Sequence, residues 1–159
     1  TLNENWSIQF DPEFHGPKNP IRTSKLFDWS QSKNDSIKYY SGTAIYAKTF
    51  NWDSSKQQAV WLHIGDVSNM AEVVLNDKNL GVLWTYPFRL NISKALKQGA
   101  NKLELRVTNT WANRLIGDED LPQKERLTWT TAPFRLEKDS LLKAGLLGPV
   151  RLELEKKNP

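Results

Sequence analysis

Apolar and polar residues alternate with a period of two in run after run of this chain, and no segment sustains the 3.6-residue period of an amphipathic helix. In AVWLHIG, Val60, Leu62 and Ile64 share one face, and Trp61 and His63 share the other. The same pattern lines up Ala71, Val73 and Leu75 in MAEVVLND, and Leu103, Leu105 and Val107 in KLELRVT. It recurs with Val150, Leu152 and Leu154 in PVRLELEKK, and with Phe88, Leu90 and Ile92 behind Pro87. The run GTAIYAKTF, Gly42 to Phe50, is rich in β-branched and aromatic residues and predicts a further strand, with its buried face left open.

Turn chemistry separates these runs. LNDKNLG sets Asn76, Asp77, Lys78, Asn79 and Gly81 between two apolar stretches, which is a hairpin signature, and KQGANK breaks the chain before Lys102. SKALKQG suits a single helical turn capped by Ser93 and ended by Gly99. The stretches from Thr1 to about Asn34 and from about Asp118 to Gly145 read as irregular. Short strands with turns between them predict an all-β antiparallel sandwich, and the long aromatic-rich loops favour a jelly-roll β-sandwich over a tight barrel. The expected organisation is an irregular N-terminal lead-in over residues 1–25, followed by one jelly-roll domain over 26–159.

Composition sharpens this picture in three places. At 159 residues the chain can bury a core of its own, and with 38% hydrophobic and 25% charged residues it belongs to the globular class. No apolar run approaches the ~20 residues of a membrane helix, and the opening TLNENWSIQF has neither the basic nor the apolar region of a signal peptide. Cysteine is absent, which removes disulfides and thiolate metal sites. The net charge of +4 is dispersed along the chain, so no basic arm or face marks a nucleic-acid binder. The seven Trp (6, 29, 52, 61, 84, 111 and 129) can fill a sandwich core, meet a neighbouring domain or stack on sugar rings.

Candidate chemistry is sparse. His63 sits on a strand and His15 in a Pro- and Gly-containing loop, with no nucleophile placed to use either. HExxH, phosphate-cradling Gly loops and EF-hand spacing are all missing. The stretch NTWANRLIGDEDLP remains, where Asp118, Glu119 and Asp120 follow Arg114. Neighbouring acids in one loop are poorly placed to face each other across a sugar, as a glycosidase pair must. Arg114 lies four residues before Asp118, so a bidentate contact could close the loop on itself, with Asn109 and Asn113 bonding backbone groups. Direct sugar contact by the same residues is the rival reading. Trp84 and Tyr86, in LWTYPF, could line a cleft at the loop end, and Trp129 could pack beneath the long polar stretch around it. The carbohydrate-binding candidates are therefore Trp84, Tyr86, Trp111, Asn113, Arg114, Asp118, Glu119 and Trp129.

The succession YYSGTAIYAKTF, LHIGDVSNMAEVVLNDKNLGVLWTYPFRLNISKALKQGANKLELRVTNTW and GLLGPVRL resembles the sugar-binding-type jelly roll of family 2 glycoside hydrolases. NTWANRLIGDEDLP and GLLGPVRLEL further resemble the C-terminal galactose-binding-like β-domain of family 106 α-L-rhamnosidases. The likeness runs from about Leu26 to Leu154. It implies a noncatalytic accessory domain from a larger periplasmic or extracellular hydrolase, with the reacting carboxylates on a separate (β/α)8 barrel that this chain is too short to hold. The implied partner is that barrel, with plant-type glycans as a further one, and an autonomous carbohydrate-binding module is the alternative. Neither nucleic acid nor membrane is implied. No cofactor is implied beyond a structural calcium held by loop oxygens, which no dense carboxylate cluster here demands.

Overall fold

The computed structural model describes residues 1–53, 58–131 and 140–155. Its strands are β1 (Trp6–Gln9), β2 (Ile21–Thr23), β3 (Thr43–Trp52), β4 (Val60–His63), β5 (Asp66–Ser68), β6 (Met70–Leu75), β7 (Lys78–Leu83), β8 (Arg89–Asn91), β9 (Gly99–Thr108), β10 (Gly145–Gly148) and β11 (Arg151–Leu154). Two short helices, α1 (Asp35–Lys38) and α2 (Ala112–Asp118), lie in the connections. One layer is a six-stranded sheet of order β2-β1-β3-β9-β6-β7. Against it lie the pair β10-β5 and the three-stranded sheet β11-β4-β8, joined by a bridge between Gly65 and Gly148. Every pairing between named strands is antiparallel, and the whole is the expected jelly-roll-type sandwich.

The alternation fills the interior as the sequence requires. Ile8, Tyr46, Leu105 and Val73 stand in register across four strands of the large sheet, all fully buried. From the facing layer Val60, Leu62, Ile64, Val67, Leu146 and Val150 close on them. Each such side chain contributes roughly 1.5–3 kcal/mol of burial, so the inner rows are the main stabilising term. The β6–β7 connection is the predicted hairpin: Asn76 and Asp77 take φ of 51° and 63°, the left-handed geometry of a two-residue turn that matches strand twist.

Two expectations are corrected. The lead-in over residues 1–25 is not irregular. β1 pairs with β3 and β2 with β1, so this segment supplies the sheet's edge. Trp6, Ile8 and Phe10 alternate inward, and Trp6 and Phe10 join Trp29, Tyr40 and Tyr46 in an aromatic cluster with ring centroids 4.9–6.3 Å apart. Trp29 Nε1 donates to Tyr46 Oη at 2.7 Å, and burial pushes the Tyr46 phenol well above its ordinary range. The ring of Trp29 also lies on Gly145, where any Cβ would stand 2.5 Å from Nε1. A side chain there would drive β10 off the core.

The second correction concerns SKALKQG. It makes the single expected helical turn, with Ala95 N and Leu96 N both donating to Ile92 O, and the correction is to its cap. Ser93 does not cap it. Asn91 Oδ1 accepts from Ser93 N at 3.0 Å, and Ser93 Oγ accepts from Val60 N instead, tying the turn to β4. Within the second stretch read as irregular, α2 ends at Asp118 and a 3-10 turn spans Gln123–Glu125, while residues 132–139 lie outside the described ones.

Candidate functional site

The segment after β9 turns through Trp111 into α2, and its polar side chains are directed inward. Asn113, Arg114 and Asp118 are 2%, 5% and 2% exposed. Arg114 Nη2 stands 2.8 Å from Asp118 Oδ1, one helical turn away. Asp118 Oδ2 accepts from Leu127 N (3.0 Å), Thr128 N (2.8 Å) and Thr128 Oγ1 (2.8 Å), so one carboxylate fixes the chain that returns from α2. Asn113 makes a reciprocal pair with Leu142, donating to its carbonyl at 2.7 Å and accepting from its N–H at 2.8 Å. Ser41 Oγ accepts from Arg114 N, and Asn109 bridges Gly42 N and Tyr40 O. Gly117 admits the pair: a Cβ there would lie 2.6 Å from the Tyr39 ring and 2.7 Å from Arg114 Nη2.

This is the self-braced corner expected from Arg114 and the acids, with Asp118 as the partner. It removes Asn113, Arg114 and Asp118 from the sugar-contact candidates, because their polar groups are buried and engaged within the fold. It also removes Asp118 as a reacting carboxylate, since both its oxygens face internal donors. Glu119 is exposed at the end of α2, and its carbonyl accepts from Arg126. Among the described residues, no three His, Cys, Asp or Glu side chains converge on a common point that could hold a metal ion. No helix among them is long and apolar enough to cross a membrane.

The aromatic candidates behave differently. Trp84, Tyr86 and Trp129 are 72%, 83% and 79% exposed, and Trp111 is 45% exposed with its edge on Phe14 at 5.6 Å. Trp129 therefore does not pack beneath the loop. Tyr86 borders a hollow of about 200 Å³ together with His63, Asp66, Phe88 and Arg151. The remaining large exposed apolar residues among the described ones are Met70, Val82 and Leu142. Several of these lie where β6, β7 and β9 reach the α2 side of the large sheet. Met70 opens β6 opposite Thr108, Val82 is the penultimate residue of β7, and Trp84 and Tyr86 follow β7. Leu142 is bonded to Asn113, and Trp129 follows Thr128, which is held by Asp118.

The opposite end was missed by the sequence reading. There an open cleft of about 810 Å³ runs between the end of β3 and the 91–98 turn. Its sequence signal is the set of polar residues in NISKALKQG, a stretch that reads as the end of an alternating strand and one helical turn. On the outer face of the small sheet, Arg89 stacks over Trp61 at 5.0 Å, and His63 Nε2 lies 3.1 Å from Glu153 Oε2.

The family described as glycosyl hydrolase 2 galactose-binding domain-like matches residues 24–140. A rhamnosidase from Novosphingobium sp. PP1Y has a solved structure 38% identical to this chain, covering 96% of it and 14% of that protein, with a TM-score of 0.86. A Formosa agariphila protein named "Putative beta-glucuronidase" is also 38% identical, over 94% of this chain and 15% of that protein. The Ruminococcus gnavus β-glucuronidase shares the fold at 20% identity and a TM-score of 0.57, over 68% of this chain and 20% of that one. The chain thus spans about a seventh of the length of its nearer relatives here.

Proposed function

The chain belongs to the family of glycosyl hydrolase 2 galactose-binding-like domains, and from that membership we propose that it is a noncatalytic accessory domain that buttresses the catalytic unit of a larger glycoside hydrolase through its α2 end. The observation that carries this reading is the segregation of exposed apolar side chains. Trp84 and Trp111 are exposed where β7 and β9 end on the same side of the large sheet, Trp129 is exposed on the chain held by the buried Arg114–Asp118 pair, and Tyr86 is exposed two residues beyond Trp84. Aromatic anchors on a rigid platform are what an inter-domain contact of ~600–1,500 Å² requires. A free-standing module would expose them to water at a cost in solubility. The occupant is the rest of the parent polypeptide, consistent with the chain's spanning only 14–15% of its two nearer relatives.

The α-L-rhamnosidase-like parent is supported by the Novosphingobium rhamnosidase, 38% identical with a TM-score of 0.86, and the equally identical Formosa agariphila protein keeps a β-glucuronidase-like parent as the second reading. The compartment that goes with such a parent is the periplasm or the exterior. The reacting carboxylates belong to the catalytic unit, because the most conspicuous acid here, Asp118, is sealed.

The test compares two lengths of protein. In the 159-residue chain, Trp84→Ser with Tyr86→Ser should move the melting temperature by less than ~3 °C, as surface changes do. In the polypeptide extended by its flanking coding region, the same pair should loosen the contact by more than ~1 kcal/mol. It should then lower the inactivation temperature of the glycosidase. Equal, small effects in both lengths would refute the docking role. Hydrolysis of aryl rhamnosides by the 159-residue chain alone would refute its noncatalytic nature.

A further inference from the structure

The cleft at the end remote from α2 has a composition that the docking role does not use. Trp52, Leu80 and Leu96 give it an apolar strip. Gln58, Asn91 and Gln98 place amides along it, and Lys94 and Lys97 are exposed at its edge. No carboxylate lines it among the described residues. The nearest acid that bonds to a lining residue is Asp53, which accepts from Gln98 Nε2 at 3.0 Å. Among the described residues neither lysine ammonium has an ion-pair partner, whereas Lys102 pairs with Glu104 at 2.8 Å.

The walls of the cleft are held in place. Asn101 is wholly buried, and it accepts from Lys97 N (2.8 Å) and donates to Lys97 O (2.7 Å) and Gly99 O (2.9 Å). Asn76 Nδ2 donates to Ala95 O and to Asn101 Oδ1, both at 2.8 Å. Asn91 Oδ1 is occupied by the backbone and hydroxyl of Ser93, which leaves its amide N–H groups for a ligand. The turn that carries both lysines is thus built before any ligand arrives, and little ordering cost attends binding.

We propose that this cleft binds an anionic oligosaccharide, with sugar rings bearing carboxylate or sulfate groups. The apolar strip suits the C–H faces of pyranose rings. The amides suit ring hydroxyls, and the two ammonium groups supply attraction for acidic substituents. A neutral glycan would leave both lysines unused, and a peptide would meet no acceptor for its cationic or N–H groups apart from side-chain amides. The site does not depend on the docking reading, because it lies at the other end of the sandwich.

The experiment is an NMR titration of the 159-residue chain with an oligogalacturonide, its methyl ester and a sulfated galactan oligomer. The expected result is shift changes at Trp52 Nε1–H and at the side-chain amides of Asn91 and Gln98, from at least one acidic ligand. Lys94→Ala with Lys97→Ala changes only exposed side chains, and it should weaken that binding about 10-fold or more, as should raised salt. The methyl ester should bind no better to the parent chain than the acid does to the double variant. The proposal is overturned if neither acid perturbs these signals at about 10 mM, a concentration well above the Kd of any useful site. It is equally overturned if the perturbed signals are those of Trp84 and Tyr86, or if the ester matches the acid. Protection of the 91–98 amides from hydrogen exchange in the extended polypeptide would mean that protein covers the cleft, which also overturns it.

Discussion

The two ends of this sandwich are both braced by buried polar side chains, yet with different chemistry and different surfaces. At the α2 end the brace is ionic: Arg114 and Asp118, 5% and 2% exposed, hold the returning chain. At the far end it is neutral: Asn101, fully buried, and Asn76 hold the 95–99 turn through amide hydrogen bonds. Above the ionic brace lie exposed aromatics, and beside the neutral one lies a polar cleft with lysines. A loop that must be stiff enough to present bulky anchors carries the more demanding interior. A loop that only shapes a cleft is fixed by amides, whose desolvation costs less.

The difference has an energetic signature. Asp118→Ala should produce the largest loss. It strands a buried guanidinium and leaves Leu127 N, Thr128 N and Thr128 Oγ1 without their acceptor. Breaking one side of such a buried pair costs ~3–5 kcal/mol, and the urea midpoint of the 159-residue chain should fall accordingly. Replacing both partners at once, as Arg114→Met with Asp118→Leu, should cost less than the sum of the single changes, because no lone charge remains. A loss under ~1 kcal/mol for Asp118→Ala would place this carboxylate in water and dissolve the contrast between the ends.

Asn101→Ala comes next. It removes the acceptor of Lys97 N and of Asn76 Nδ2, and the donor to Lys97 O and Gly99 O. Leaving those groups unpaired in a site that is 0% exposed should cost ~1–3 kcal/mol, below the Asp118 value. Thermal denaturation of the two variants side by side sharpens the comparison. A larger loss for Asn101→Ala would reverse the ranking of the two braces.

The two braces also differ in how far the chain announces them. Arg114 and Asp118 are four apart, a spacing that pairs side chains on a helix, and the ion pair could be read directly. What could not be read was its depth, which depends on Tyr39 and on the chain returning at Thr128. Asn101 left a subtler mark. It is in phase with Leu103, Leu105 and Val107, so the alternation already pointed its amide inward. A polar residue on the inner row of a strand end signals a loop that needs its hydrogen bonds. β1 was equally legible, since Trp6, Ile8 and Phe10 alternate with Ser7 and Gln9, but the run is short and the Pro- and Gly-bearing segment behind it masked the signal. β10 had no such mark. GLLG alternates nothing, and its place in the fold comes from pairing with β5, the buried Leu146 and the contact of Trp29 with Gly145.

The smallest effect concerns the flank between the two ends, on the outer face of β4. His63 is 13% exposed, and its imidazole is held below the ordinary histidine range by burial first and by the Arg151 guanidinium second, with Arg89 adding to this and Glu153 opposing it. Its folded state therefore resists protonation more than the unfolded chain does. As pH falls through the ordinary value of 6.5, the unfolded state takes up a proton that the folded state does not, and stability declines. The decline stops once the pH passes the lower folded value. His63→Gln lacks this term, so its melting temperature should fall less than that of the parent chain between neutral pH and the acid side of 6.5. A parallel pair of pH profiles would mean that Glu153, 3.1 Å away, compensates the burial and the two arginines in full, and that the outer face of the small sheet tolerates a charged imidazole as readily as water does.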